Sequence, residues 1–69
     1  GGSAMTKRAY RVTLTQVNSR LTRSIHYVEA ESHNEASQAA LLNRLEKDMT
    51  EGQFHQWAPV VIKPIRVNQ

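Results

Sequence analysis

From Arg8 to Val17, in RAYRVTLTQV, the side chains of Tyr10, Val12 and Leu14 fall on one parity and those of Arg11, Thr13 and Thr15 on the other. This two-residue alternation predicts a strand with one face buried. Asn18-Ser19 follows as a two-residue hairpin turn, Asn being tolerant of a positive φ. A second strand runs from Leu21 to Ala30, and its pattern is double. Leu21, Ile25 and Tyr27 share one parity with Arg23, whereas Val28 and Ala30 share the other with Thr22, Ser24 and His26. Alternation alone does not say which of these sides meets a core.

The period changes after Ala30. Ser32 followed by Glu35 is a capping box, which satisfies backbone N–H groups that the first helical turn leaves free. A helix is predicted from His33 to Met49 or Thr50, with Leu41, Leu42, Leu45 and Met49 on one apolar stripe and Gly52 as its stop. Ala36, Ala39 and Ala40 lie largely off that stripe. QFHQWAP (53–59) reads as a connecting loop and VVIKPIRV (60–67) as a third strand. Pro64 cannot donate to a ladder, so this strand belongs at an edge or carries a bulge. A bulge at Lys63-Pro64 would keep Val60, Ile62, Ile65 and Val67 on the core side and leave Lys63 and Arg66 outside. The expected fold class is α+β, with order β-β-α-β and one helix packed on one face of a three-stranded sheet.

Two hairpin registers compete. A two-residue loop pairs Tyr10 with Tyr27, Val12 with Ile25 and Leu14 with Arg23. A three-residue loop, Asn18-Ser19-Arg20, pairs Tyr10 with Val28, Val12 with His26 and Leu14 with Ser24. A one-residue slip moves every side chain to the other face. The first register buries Ile25 and Tyr27, each worth about 1.5–3 kcal/mol if fully buried. The second puts His26 and Ser24 in a small core, at roughly 1–3 kcal/mol for each group left unpaired. The expectation is therefore the two-residue loop, with the open face carrying Arg11, Thr13, Thr15, Thr22, Ser24, His26, Lys63 and Arg66. In the other register Ile25 and Tyr27 would be exposed, and a face-to-face homodimer would be the natural inference.

Charge sharpens this picture. Residues 1–28 hold Lys7, Arg8, Arg11, Arg20 and Arg23 and no acid. Residues 29–51 hold all six acids against Arg44 and Lys47, and residues 52–69 add Lys63 and Arg66. The sheet is thus expected to be the positive side and the helix the negative one, an asymmetry that bears on partners rather than on fold. Gly1 to Met5 read as a cloning remnant, leaving residues 6–69 as a single small domain. A chain of this length buries only about 60% of its unfolded surface, too little for both a large core and a deep cleft.

Candidate chemistry is sparse. With no cysteine there is no disulfide framework and no thiolate zinc site. His26, His33 and His55 lack the spacing of a helical metal pair, and no glycine-rich phosphate loop or nucleophile motif occurs. No cofactor is expected, and the reading is non-enzymatic. No apolar run reaches the roughly 20 residues that span a membrane, so a cytoplasmic protein without membrane association is expected. Trp57, near Phe54 and His55, reads either as an interface anchor or as a plug at the end of the core.

The stretch AYRVTLTQV (9–17) through YVEAESHNEA (27–36) is an alternating strand leading to V-E-A, a serine cap and a Glu-Ala helix start. Over residues 8–40 it resembles short phage and mobile-element proteins of β-β-α-β layout, small anti-CRISPR proteins among them. The resemblance implies a non-enzymatic inhibitor that occupies a nucleic-acid-handling complex. It carries over no binding residue, and the basic sheet departs from acidic DNA mimics. The expected partner is thus a protein or nucleoprotein complex docked on the basic sheet face, with Trp57 as an added contact. Direct, weakly specific DNA or RNA binding through that face, or a homodimeric structural role, are the alternatives.

Overall fold

The computed structural model describes residues 7–65. Strands β1 (Arg8–Gln16) and β2 (Ser19–Ala30) are followed by helix α1 (His33–Glu51) and strand β3 (Trp57–Pro64). The sheet is antiparallel throughout, in the order β2-β1-β3. The two outer strands therefore run parallel to each other, and the helix carries the chain from one to the other across β1. The expected β-β-α-β architecture with one helix over a three-stranded sheet is observed.

Local chemistry sets the helix ends. The Glu35 backbone N–H donates to Ser32 Oγ at 3.1 Å. At the other end Gly52 adopts a left-handed conformation (φ 72°), and the N–H groups of Gly52 and Gln53 donate to the carbonyls of Met49 and Asp48. Only glycine enters that region without a Cβ penalty, which is why the helix stops there.

The hairpin register differs from the expectation. Tyr10 pairs with Val28, Val12 with His26 and Leu14 with Ser24. The turn itself is two residues long, Val17-Asn18, and Gln16 pairs with Ser19. Thr15 then pairs with Arg23, so Arg20, Leu21 and Thr22 form an unpaired excursion on β2. No residue other than Gly52 has a positive φ among those described. The turn is thus not of the primed type that suits a regular two-residue hairpin, and the extra residues of β2 take up the mismatch. Leu21 is fully exposed as a result.

This register buries Val28 and Ala30 with Tyr10, Val12, Leu14, Ala36 and Ala40. It also brings Ser24 and His26 beneath the helix, contrary to the expectation that they face outward. The cost that argued against this arrangement is offset by a hydrogen bond between Ser24 and His26 and by one from the helix to Ser24.

The helix, too, is turned from its expected orientation. Its buried positions are Ala36, Ala40 and Asp48, whereas Leu42, Leu45 and Met49 are about half exposed. Small alanines let the helix approach the sheet closely, and Arg44 and Asp48 extend the same side by the four-residue step. Leu41 is half-buried against the core.

The third strand begins earlier than expected, so Trp57, Ala58 and Pro59 belong to it rather than to a loop. Its irregularity lies at Val60 and not at Lys63-Pro64: Thr13 pairs with Val61 but Leu14 with Pro59. Pro64 sits at the end of an edge strand, where a missing N–H is tolerated. Ile62 packs on the core, and Lys63 is exposed opposite Arg11. Arg66 and Val67 lie outside the described residues. Among the described residues no helix is long and apolar enough to cross a membrane.

Candidate functional site

The side of the sheet away from the helix is built in cross-strand rows. Arg11 of β1 lies between Tyr27 of β2 and Lys63 of β3. The next row is Ile25, Thr13 and Val61, and the third is Arg23, Thr15 and Ala58. Tyr27 is 68% exposed, and Ile25, Val60 and Val61 are also exposed. Thr13 and Thr15, on the central strand, are buried between their neighbours. At the hairpin end a shallow pocket of about 410 Å³ is lined by Thr15, Arg20, Arg23, Val60 and Val61. The face thus carries four cations (Arg11, Arg20, Arg23 and Lys63) around an apolar middle. Its acid, Glu29, pairs with Ala9 at the far end. Both ion pairs among the described residues belong to Arg44 on the helix, so none of these four cations is ion-paired within the described residues.

Of the residues expected on this surface, Arg11, Thr13, Thr15 and Lys63 are there. Thr22 is in the excursion near the turn, where its hydroxyl and that of Ser19 are 3.1 Å apart. Ser24, His26 and Trp57 are on the helix side. Arg20, Arg23, Ile25, Tyr27, Val60 and Val61 were not expected on the open face, and the observed register together with the Val60 bulge puts them there. The signal that would have found the β2 members was the exposure cost of Val28, which the two-residue loop left without cover.

Ser24, His26 and Trp57 instead join a polar cluster where helix meets sheet. Arg44 donates from Nε to Asp48 Oδ1 at 2.9 Å, from Nη2 to the same oxygen, and from Nη1 to Ser24 Oγ at 3.2 Å. Trp57 Nε1 donates to Asp48 Oδ2 at 2.9 Å, and the Arg44 guanidinium stacks 4.7 Å from the centre of the Trp57 ring. Trp57 is thus partly buried against the core, its indole N–H held by Asp48. No family model matches the chain, and no curated protein or solved structure is similar to it.

Within this cluster Ser24 Oγ and His26 Nε2 are 2.7 Å apart. Arg44 only donates, so Ser24 Oγ accepts from Nη1, and the direction of the bond to His26 Nε2 is set by the imidazole tautomer. A serine beside a neutral histidine is the start of a nucleophile–base pair. Here the pair is beneath the helix, with a guanidinium on the serine oxygen, while the pocket opens on the opposite face. Its geometry suits a tie between helix and strand. Among the described residues no group of three or more His, Asp or Glu is placed to hold a metal ion.

Burial, and then the charges of Arg44 and Lys47, lower the His26 pKa below its ordinary 6.5. In the unfolded chain His26 returns to that value, so between the folded value and 6.5 the unfolded state binds more protons and stability rises with pH. The contribution is complete above 6.5 and is lost as the pH falls toward the folded value. The urea midpoint is therefore expected to fall on acidification from about pH 7 to about pH 5.5, and His26→Gln is expected to flatten that slope. Equal slopes in the two proteins would show that His26 is not held neutral.

Proposed function

We propose that the chain is a non-enzymatic binding module that engages nucleic acid through the open face of its sheet. The observation that carries this reading is the placement of Arg11, Arg20, Arg23 and Lys63 on one face against a single acid, Glu29, at its end away from the hairpin turn. Arginine and lysine neutralise phosphates, and arginine adds a planar fork that matches phosphate oxygens. Hydroxyls from the central strand lie on the same surface. A face-to-face homodimer is disfavoured, because it would bring these cations against those of the second copy.

The exposed Ile25, Val60 and Val61 favour a second reading, in which the same face docks on a protein component of a nucleic-acid-handling complex. Ionic strength separates the two. Nucleic-acid binding releases counterions and weakens steeply with salt, whereas a largely apolar contact does not.

Fluorescence anisotropy with short labelled oligonucleotides across a salt series tests the proposal. Wild-type protein is expected to bind at low salt. Arg11→Glu and Lys63→Glu, both at exposed positions, are expected to weaken binding and reduce the slope of log K against log salt by about one or more each. Absence of binding to any oligonucleotide at low salt would overturn it.

A further inference from the structure

We propose that this face selects single-stranded over duplex nucleic acid by stacking an unpaired base on Tyr27, an inference that rests on the nucleic-acid reading above. Tyr27 is a large aromatic side chain standing two-thirds exposed on a strand. It occupies one end of a row whose other members are Arg11 and Lys63. The aromatic pair and the stacked cation among the described residues involve other rings, Tyr10 with His33 and Trp57 with Arg44, so the Tyr27 ring is engaged by neither.

The surroundings divide by chemistry. The pocket at the hairpin end offers two guanidinium groups, Arg20 and Arg23, beside the Thr15 side chain and two valines. That combination suits a phosphate and its sugar. Between Arg23 and Tyr27 lies the row of Ile25, Thr13 and Val61, which carries no charge. Along β2, Arg23 and Tyr27 are four positions apart, about 13 Å of extended strand. Cations at both ends of an apolar strip, with an exposed ring at one end, fit a chain whose phosphates and bases alternate.

A duplex cannot use this surface in the same way. Its bases are already stacked and paired, and it presents a sheet face mainly with phosphates, so it would engage the cations and leave Tyr27 idle. Reading a groove needs an inserted helix or ribbon, whereas an aromatic side chain on an open sheet stacks with unpaired bases. The α1 helix lies on the other side of the sheet and bears most of the acids, so it does not supply a groove reader.

The test compares wild type, Tyr27→Ala and Tyr27→Phe by anisotropy against three probes: a mixed-sequence single strand, its duplex, and a single strand of abasic residues with the same number of phosphates. DNA and RNA versions of the single strand distinguish the two sources of the same chemistry. Wild type is expected to prefer the base-bearing single strand over both other probes. Tyr27→Ala is expected to lower single-strand affinity roughly 5- to 150-fold, the range measured for loss of one stacked base. Its affinity for duplex and abasic strand, and its salt slope, should stay unchanged. Tyr27→Phe should retain the preference, and an unaltered amide spectrum confirms that both variants fold. Equal binding of single strand and duplex by wild type, or undiminished single-strand binding by Tyr27→Ala, would overturn this inference and leave the electrostatic reading standing. Failure of all three probes to bind at low salt would overturn that reading and this inference together.

Discussion

Replacing Leu14 with alanine is expected to unfold a large share of the molecules in water at 25 °C. The side chains of Val12 and Leu14 are completely buried, and three of the seven residues of the core cluster are alanines. Tyr10, Val12, Leu14 and Val28 thus supply most of its apolar volume. A buried Leu→Ala substitution costs about 2–5 kcal/mol, through lost transfer energy and the cavity left behind. Domains are stable by about 0.05–0.15 kcal/mol per residue, so a chain this short has roughly 3–10 kcal/mol in all. Leu14 lies on the central strand, where neither edge can collapse inward to refill the space. The control is Leu45→Ala on the helix. Leu45 is about half exposed, and its loss is expected to shift stability by about 0.5 kcal/mol or less. Urea titration followed by circular dichroism measures both. Equal losses would mean that the helix packs through its leucine stripe after all, and that its orientation over the sheet is different.

That control marks where the amino-acid pattern was informative and where it was not. The clean alternation from Tyr10 to Thr15 gave the first strand and its buried parity correctly, since within it the other parity holds only Arg11, Thr13 and Thr15; that this strand is the central one was not legible. Ser32, Glu35 and Gly52 located the helix to within two residues, because capping is a local matter of backbone hydrogen bonds. The helix face was less legible. Long leucines outweigh alanines on any hydrophobicity scale, yet alanines at a four-residue spacing permit the closest approach to the sheet. The gain from that approach depends on what lies underneath.

The second strand was ambiguous for a related reason. Both parities carry apolar residues, so the decision rested on whether Ser24 and His26 had partners. They partner each other, and Ser24 is tied to the helix by Arg44, twenty residues later and held by Asp48. A strand pattern contains no trace of such a tertiary contact. The consequence for the site is direct. Arg11, Thr13, Thr15 and Lys63 were assigned to the open face correctly, since the parity of β1 does not depend on the hairpin register. Every β2 residue between Arg23 and Tyr27 exchanged sides, replacing a serine and a histidine with an arginine, an isoleucine and a tyrosine.

The residue on which this arrangement most depends is Asp48, and Asp48→Ala is expected to be strongly destabilising. The carboxylate is 1% exposed and accepts from Arg44 Nε and Nη2 on one oxygen and from Trp57 Nε1 on the other. Burial alone would raise its pKa. The hydrogen bonds from Trp57 and Arg44, the guanidinium charge and the His55 backbone N–H outweigh that and hold it below the ordinary 3.8. Removing the carboxylate leaves a largely buried guanidinium with only the exposed Glu51, 3.6 Å away, as counter-charge and an indole N–H without an acceptor, and such poorly compensated groups cost more than the intact pair contributes. Asp48→Asn keeps an oxygen for Trp57 and is expected to lose less. The double variant Arg44→Met with Asp48→Leu removes both charges together and is expected to recover much of the loss, because a buried pair can be exchanged for apolar packing. Thermal melts of these proteins and of the single variants Arg44→Met and Asp48→Leu, with Trp57 fluorescence reporting the indole environment, decide the matter. A double variant as unstable as the sum of its parts would mean that Arg44 and Asp48 act independently. Acid should reproduce the effect in the wild type: a carboxyl held below 3.8 in the fold contributes stability above that value and loses it as the pH falls through the folded one. With Arg44 released, Ser24 and His26 keep only their bond to each other, and the register that exposes Tyr27, Ile25 and Arg23 loses its tie to the helix.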